Sequence, residues 1–150
     1  MSRTLVFLII VLTFWKSVSI SQEINYFLML KNKKVNVRFG PSLNSPIKYI
    51  YNKINLPLKV IDKKENFRRI IDHKKNSGWI HISQLKKSKS FISLENKILF
   101  KKPSKFSKPL AKIENGRLLI VKKCEINWCK VKTENFTGWV LKNNIWGKIN

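Results

Sequence analysis

Two stretches of this chain carry similar residues in the same order at nearly the same spacing. In the first, Val37-Arg38-Phe39-Gly40-Pro41-Ser42 leads to Ser45-Pro46-Ile47. In the second, Leu99-Phe100-Lys101-Lys102-Pro103-Ser104 leads to Ser107-Lys108-Pro109-Leu110. Leu58-Lys59-Val60-Ile61 is answered by Leu119-Ile120-Val121-Lys122, and Phe67-Arg68-Arg69-Ile70 by Trp128-Cys129-Lys130-Val131. Gly78-Trp79-Ile80 returns as Gly138-Trp139-Val140. A repeat of 50–60 residues means one supersecondary unit used twice, which fits a chain of 150 residues and leaves no room for a large enzyme domain.

The pattern inside each unit has period two. Apolar and polar residues alternate over four to six positions, as in Leu58/Val60, Phe67/Arg69 and Arg117/Leu119/Val121. Gly, Pro, Asn and Ser punctuate these runs, and no sustained helical stripe occurs. Short alternating runs with frequent turns predict small antiparallel sheets, an all-β chain. Units this small sit near the lower limit for an independent core, so the two are expected to pack as a compact tandem. Lys86-Lys87-Ser88-Lys89-Ser90 is the expected connection.

Ahead of the repeat stands a different kind of segment. Arg3 precedes the apolar run Leu5 to Trp15, and Ser19 and Ser21 then occupy the −3 and −1 positions of a cut before Gln22. Together these read as a signal peptide over residues 1–21. The run is too short to cross a bilayer, although Lys16 behind it keeps a retained anchor open. Export places the rest in an oxidising compartment, either periplasmic or secreted, where Cys124 and Cys129 are expected to pair across a tight hairpin. The alternative is a pair of buried thiols.

The opening Val35-Asn36-Val37-Arg38-Phe39-Gly40-Pro41-Ser42 resembles the VNVRxGPS start of bacterial SH3 domains, and Gly78-Trp79-Ile80 resembles their closing GWV strand. The second unit has lost the opening, with Lys101-Lys102 in place of Phe39-Gly40, but keeps Trp128-Cys129-Lys130-Val131 and Gly138-Trp139-Val140. The resemblance implies two tandem small SH3-like β-barrels after a cleaved signal peptide, over residues 27–87 and 91–147.

Most motif residues have a structural reading. Gly40-Pro41 supplies a turn, through a positive φ at the glycine and a fixed φ at the proline. Asn36 is suited to capping a local turn. Arg38 either covers an aromatic ring, binds an acid or is a solvated strand cation. Trp79 and Trp139 are expected to fill the two cores, the alternative being a ligand-stacking platform. Phe39, Tyr49 and Tyr51, near the loops of the first unit, are the expected ligand groove.

Catalysis finds little support. His73 and His81 are the only histidines, and no motif places a nucleophile beside either. Metal-ligand spacing is absent, and no catalytic residue, cofactor or metal is expected. Asn135-Phe136-Thr137 matches a glycosylation sequon by coincidence.

Charge limits the partners. Lys plus Arg is 31 against 8 Asp plus Glu, a net +23, and losing residues 1–21 removes Arg3 and Lys16 to leave +21. Such a surface favours peptidoglycan, an acidic envelope protein, peripheral contact with an anionic membrane, or nucleic acid. The cations are nearly all Lys, and the chain is also rich in Ile and Asn, the signature of an A/T-rich coding sequence. Compositional drift therefore accounts for much of the excess. The charge is also spread evenly: residues 27–85 hold 13 cations against 3 acids, and residues 91–150 hold 13 against 4. Export and the resemblance together favour a non-catalytic envelope-binding module for peptidoglycan or an envelope protein. Nucleic-acid binding is the alternative.

Overall fold

In the computed structural model, residues 24–148 are described; the expected signal peptide lies outside them. The described chain is all-β. Its strands are β1 (Tyr26–Leu30), β2 (Val35–Arg38), β3 (Ile47–Tyr51), β4 (Pro57–Lys64), β5 (Phe67–Ile71), β6 (Ser77–His81) and β7 (Leu85–Lys87), then β8 (Ser90–Ser93), β9 (Lys97–Phe100), β10 (Pro109–Ile113), β11 (Leu118–Cys124), β12 (Trp128–Thr133), β13 (Phe136–Leu141) and β14 (Ile145–Trp146). They form two seven-stranded antiparallel sheets. The first runs β3-β2-β6-β5-β4-β1-β7 and the second β10-β9-β13-β12-β11-β8-β14, the same order with the second unit's strands in place of the first's. Each sheet carries a register shift at the same place, between Val60 and Asp62 in one and between Val121 and Lys123 in the other.

Alternation builds the cores. In the first unit Val35, Val37, Leu58, Val60, Ile70 and Ile80 point inward and are buried. In the second, Leu99, Leu119, Val121, Val131 and Val140 take the equivalent places around Phe91. Each such aliphatic side chain contributes about 1.5–3 kcal/mol by leaving water. Gly78 and Gly138 belong to the same inward rows. A Cβ on Gly78 would collide with Val37 and the Arg38 carbonyl, and one on Gly138 would lie 2.7 Å from the Phe100 carbonyl oxygen. Glycine is needed there because a neighbouring strand passes too close for a side chain.

The predicted core role is corrected for Trp79 by this alternation, whereas Trp139 is buried as expected. Because Gly78 and Ile80 face inward, Trp79 between them faces out, and it is only half-buried. Ile80, fully buried, takes the core place assigned to Trp79. Trp139 is 7% exposed; it is buried on the face away from Gly138 and Val140, with the Lys123 ammonium 5.2 Å from its ring centroid. The left-handed turn expected at Gly40 is also absent, since the glycines at positive φ are Gly116 and Gly147. Gly40 instead sits close to a side chain: a Cβ there would lie 2.7 Å from Ser45 Oγ, a hydroxyl that would have to rotate away.

The two units share a seam. Ile92 lies in the first unit's core cluster, with Leu118 and Trp146 packed against it. Trp146 meets Phe27 edge-on at 5.4 Å and donates from Nε1 to the Pro57 carbonyl at 3.2 Å. Ser90 Oγ donates to the Asn55 carbonyl at 2.6 Å. The expected linker is not a loose tether. Lys86 and Lys87 finish β7, Ser90 begins β8, and Ser88 and Ser90 are fully buried.

Candidate functional site

The β2–β3 and β9–β10 loops have one architecture despite the lost motif. Phe39 N–H donates to the Pro46 carbonyl at 3.1 Å, as Lys101 N–H does to Lys108 at 2.9 Å. Ser42 and Ser104 each donate back two residues, to Gly40 and Lys102, and Ser45 and Ser107 donate to the Ser42 and Ser104 carbonyls. Ser42 Oγ accepts from Asn44 N–H at 3.1 Å, and Ser104 Oγ from Phe106 N–H at 3.2 Å. The serines thus satisfy the loop backbone locally and stiffen it. Asn44 and Phe106 occupy the same point of the loop. Stiffness there allows an apolar side chain to be displayed rather than collapsed.

Phe106 is displayed completely, at 101% relative exposure. It lies at the rim of a 710 Å³ groove in the second unit, lined also by Lys105, Asn127, Trp128, Leu141 and Lys142. Trp128 stands opposite Leu141 in the β12–β13 register and meets Phe100 edge-on, centroids 5.8 Å apart. A second hollow of 250 Å³ on the other side of Lys105 includes Phe100 and shares Leu141 and Asn143. Together these are a floor of two aromatic rings, Trp128 and Phe100, and a leucine, with Phe106 and lysines around it.

Two devices hold the groove walls. The first is the Cys124–Cys129 disulfide, formed as the hairpin predicts, between directly paired residues of β11 and β12. It closes the turn that carries Asn127 and Trp128; within that turn Glu125 N–H donates to the Trp128 carbonyl at 2.8 Å, while Asn127 accepts from Lys142 N–H at 2.9 Å. The second device is a buried cation. Lys97 Nζ donates to Glu95 Oε1 at 2.7 Å and to the Asn143 carbonyl at 2.6 Å. Asn143 Nδ2 and Asn144 Nδ2 donate to the two Glu95 oxygens at 3.0 and 2.7 Å. The Lys97 hydrogen bond, followed by those from the asparagines, holds the Glu95 carboxyl below its ordinary pKa.

The first unit makes a groove of similar size, 680 Å³, with a more polar lining and no aromatic floor. Asn36, Arg38, His81, Ser83 and Gln84 line it with a few aliphatic groups. His81 stacks edge-on with Phe67 at 5.1 Å, the counterparts of Leu141 and Trp128. Arg38 Nη1 donates to the Ser45 carbonyl at 2.8 Å and so spans its loop. Asn36 lies mid-strand, exposed, rather than capping a turn. Pro41 is half-buried within the loop.

Phe39, Tyr49 and Tyr51 do not form one groove. Tyr49 and Tyr51, two apart on β3, share a face, meet at 5.2 Å and pack against the first core. Tyr51 Oη donates to Asp72 Oδ2 at 3.0 Å, and burial pushes both phenol pKa values up. Phe39 lies apart, 64% exposed, with the Lys48 ammonium 5.7 Å from its ring centroid. The groove residues that sequence reasoning missed are Phe100 and Phe106. The available signal was a lone Phe in a loop of Pro, Ser and Lys, with no apolar partner at strand spacing.

The profile of the family described as Bacterial SH3 domain matches the chain twice, at residues 31–87 and 95–147. No curated protein matches it. Among solved structures, NlpC2 and NlpC1 from Trichomonas vaginalis are similar over 85% of this chain, each at 12% identity, with TM-scores of 0.39 and 0.38. The match covers 50% and 48% of those chains, so this chain spans about half their length.

Proposed function

Because the chain belongs to the bacterial SH3 domain family, in two tandem copies, we propose that it is a non-catalytic binding module of the cell envelope, with its ligand site in the aromatic groove of the second unit. The observation that carries this reading is Phe106, a fully exposed phenylalanine on a stiff loop beside Trp128. Phe106 is one of several exposed apolar residues; what sets it apart is its place beside Trp128, Leu141 and Phe100, since apolar groups gathered around a concave site mark a surface suited to being covered. Lys105 and Lys142 add cations at the rim, which suits a ligand with apolar faces and carboxylates, such as the peptide-bearing glycan of the cell wall. An acidic envelope protein offers the same chemistry. The disulfide is compatible with an extracytoplasmic, periplasmic or secreted location.

The test is co-sedimentation of the protein with purified peptidoglycan at low and moderate salt. Sedimentation that Phe106→Ala weakens supports the reading. Failure to sediment even at low salt would exclude peptidoglycan. Capture of single-stranded nucleic acid in its place would favour the alternative carried by the basic surface.

A further inference from the structure

The outer faces of the two Gly-Trp strands differ in one consequential way. In the second unit Trp139 is directly opposite Lys130 on β12 and Phe100 on β9. Lys123, which pairs with Lys130 across the next ladder, extends its ammonium over the Trp139 ring and leaves the indole 7% exposed. In the first unit Trp79 is directly opposite Arg69 on β5 and Arg38 on β2. The residue paired with Arg69, in the place of Lys123, is Asp62. Its side chain is too short to reach across a ring, and its Oδ1 accepts from Lys63 N–H at 2.7 Å. Trp79 is therefore left half-open, with an arginine as its direct neighbour on each adjoining strand. Arg69 is exposed, without a side-chain hydrogen bond among the described residues, and Arg38 uses Nη1 on Ser45.

We infer that Trp79, Arg38 and Arg69 form a stacking platform for an acidic saccharide, a sugar carrying a carboxylate, distinct from the aromatic groove. The inference rests on the wall-binding reading for the class of ligand. The Cβ atoms of cross-strand neighbours on one face lie about 5 Å apart, so the three side chains leave the sheet close enough for long arginine side chains and the ring to reach a single monosaccharide-sized ligand. The indole buries the C–H face of a pyranose, and a guanidinium takes a carboxylate through two parallel N–H donors, which a lysine cannot do. Four of the five arginines of this lysine-rich chain fall among the described residues, and two of them flank this one ring. A nucleobase also stacks on tryptophan. The oxidising surroundings that suit the disulfide favour the sugar.

The test follows the Trp79 indole N–H signal in the ¹⁵N-labelled protein, identified through Trp79→Phe. The probes are N-acetylglucosaminyl-N-acetylmuramic acid, the neutral N,N′-diacetylchitobiose and an oligothymidylate. The acidic disaccharide is expected to shift the signal, with the neutral one and Arg69→Gln each binding about tenfold more weakly. The decisive variant is Asp62→Lys, which rebuilds the lid of the second unit. It adds positive charge, so simple attraction predicts tighter binding of the acidic sugar, whereas the platform predicts binding at least about fivefold weaker. Lys123→Asp should conversely let Trp139 respond. Tighter binding by Asp62→Lys, equal binding of the two disaccharides, a silent Trp79 signal or preference for oligothymidylate would each overturn the proposal. A silent Trp79 alongside Phe106-dependent sedimentation would sink the platform and leave the groove reading standing.

Discussion

The first and second units build the same strand order, the same bulge and the same serine-braced loop, yet they spend their surfaces differently. Position by position, Arg38 becomes Phe100, Phe67 becomes Trp128, His81 becomes Leu141 and Asn44 becomes Phe106. Three of the four exchange a polar side chain for an apolar one, and the fourth enlarges an aromatic ring; in the second unit all four line one of two adjoining hollows. At the neighbouring outward position of the Gly-Trp strands the shift runs the other way: Trp79 is half-buried and Trp139 is covered. The inward rows scarcely change, because a valine or leucine there answers to packing alone. The two copies keep one fold and differ in the chemistry they expose.

The sharpest way to break this comparison is to cut the units apart. Trp146→Ala removes the Phe27 contact and the hydrogen bond to Pro57. It should cost about 3 kcal/mol and split a single thermal transition into two. Calorimetry showing two transitions already in the unaltered protein would mean the seam does not couple the units. Reducing the disulfide comes next. The closed loop is short, so the second unit should lose about 2 kcal/mol in urea unfolding while the first is unmoved. Equal loss in both units would contradict the division.

Smaller effects sharpen the groove contrast. Phe106→Ala should leave the melting temperature unchanged, because the ring packs on nothing, and should weaken wall binding about tenfold, or ~1.4 kcal/mol. Asn44→Phe, its mirror image in the first unit, should not lower binding. Smallest is a pH effect. The folded pKa of Glu95 lies below the ordinary value of 4.5, so its hydrogen bonds contribute fully above that value. They are lost as pH falls through the lower folded value. Backbone amides of Lys142 and Asn143 should then exchange faster, while the first unit's Gln84, held by an exposed neutral bond from Asn32, should not change. Parallel behaviour of both turns would show that Glu95 does not set the difference.

Much of the fold was legible in the residues, and for a clear reason. Strand alternation and turn chemistry are local, so the all-β character, the repeat and the Cys124–Cys129 hairpin could be read directly. The functional surface depends on which way a side chain faces, which a motif does not state. Gly78-Trp79-Ile80 reads as a tryptophan inserted into a core, yet the glycine is there because β2 passes close, and that single contact turns Trp79 outward. Tyr49 and Tyr51 lie near loops in sequence but share the inward side of β3. The groove of the second unit escaped notice because its loop no longer carries the Phe-Gly opening, while the serines that shape it remain.

Lys86-Lys87-Ser88-Lys89 reads like an open invitation to a trypsin-like protease. Such an enzyme must draw several residues in extended form into its cleft, and this stretch has none to lend. Ser88 and Ser90 are anchored in the interior, and the residues on either side belong to two different sheets. Cutting there would first require pulling both sheets open, so the chain's most cleavable-looking sequence is also among its best defended. Wherever peptidases are met, a joint of this kind keeps the two units together as a pair.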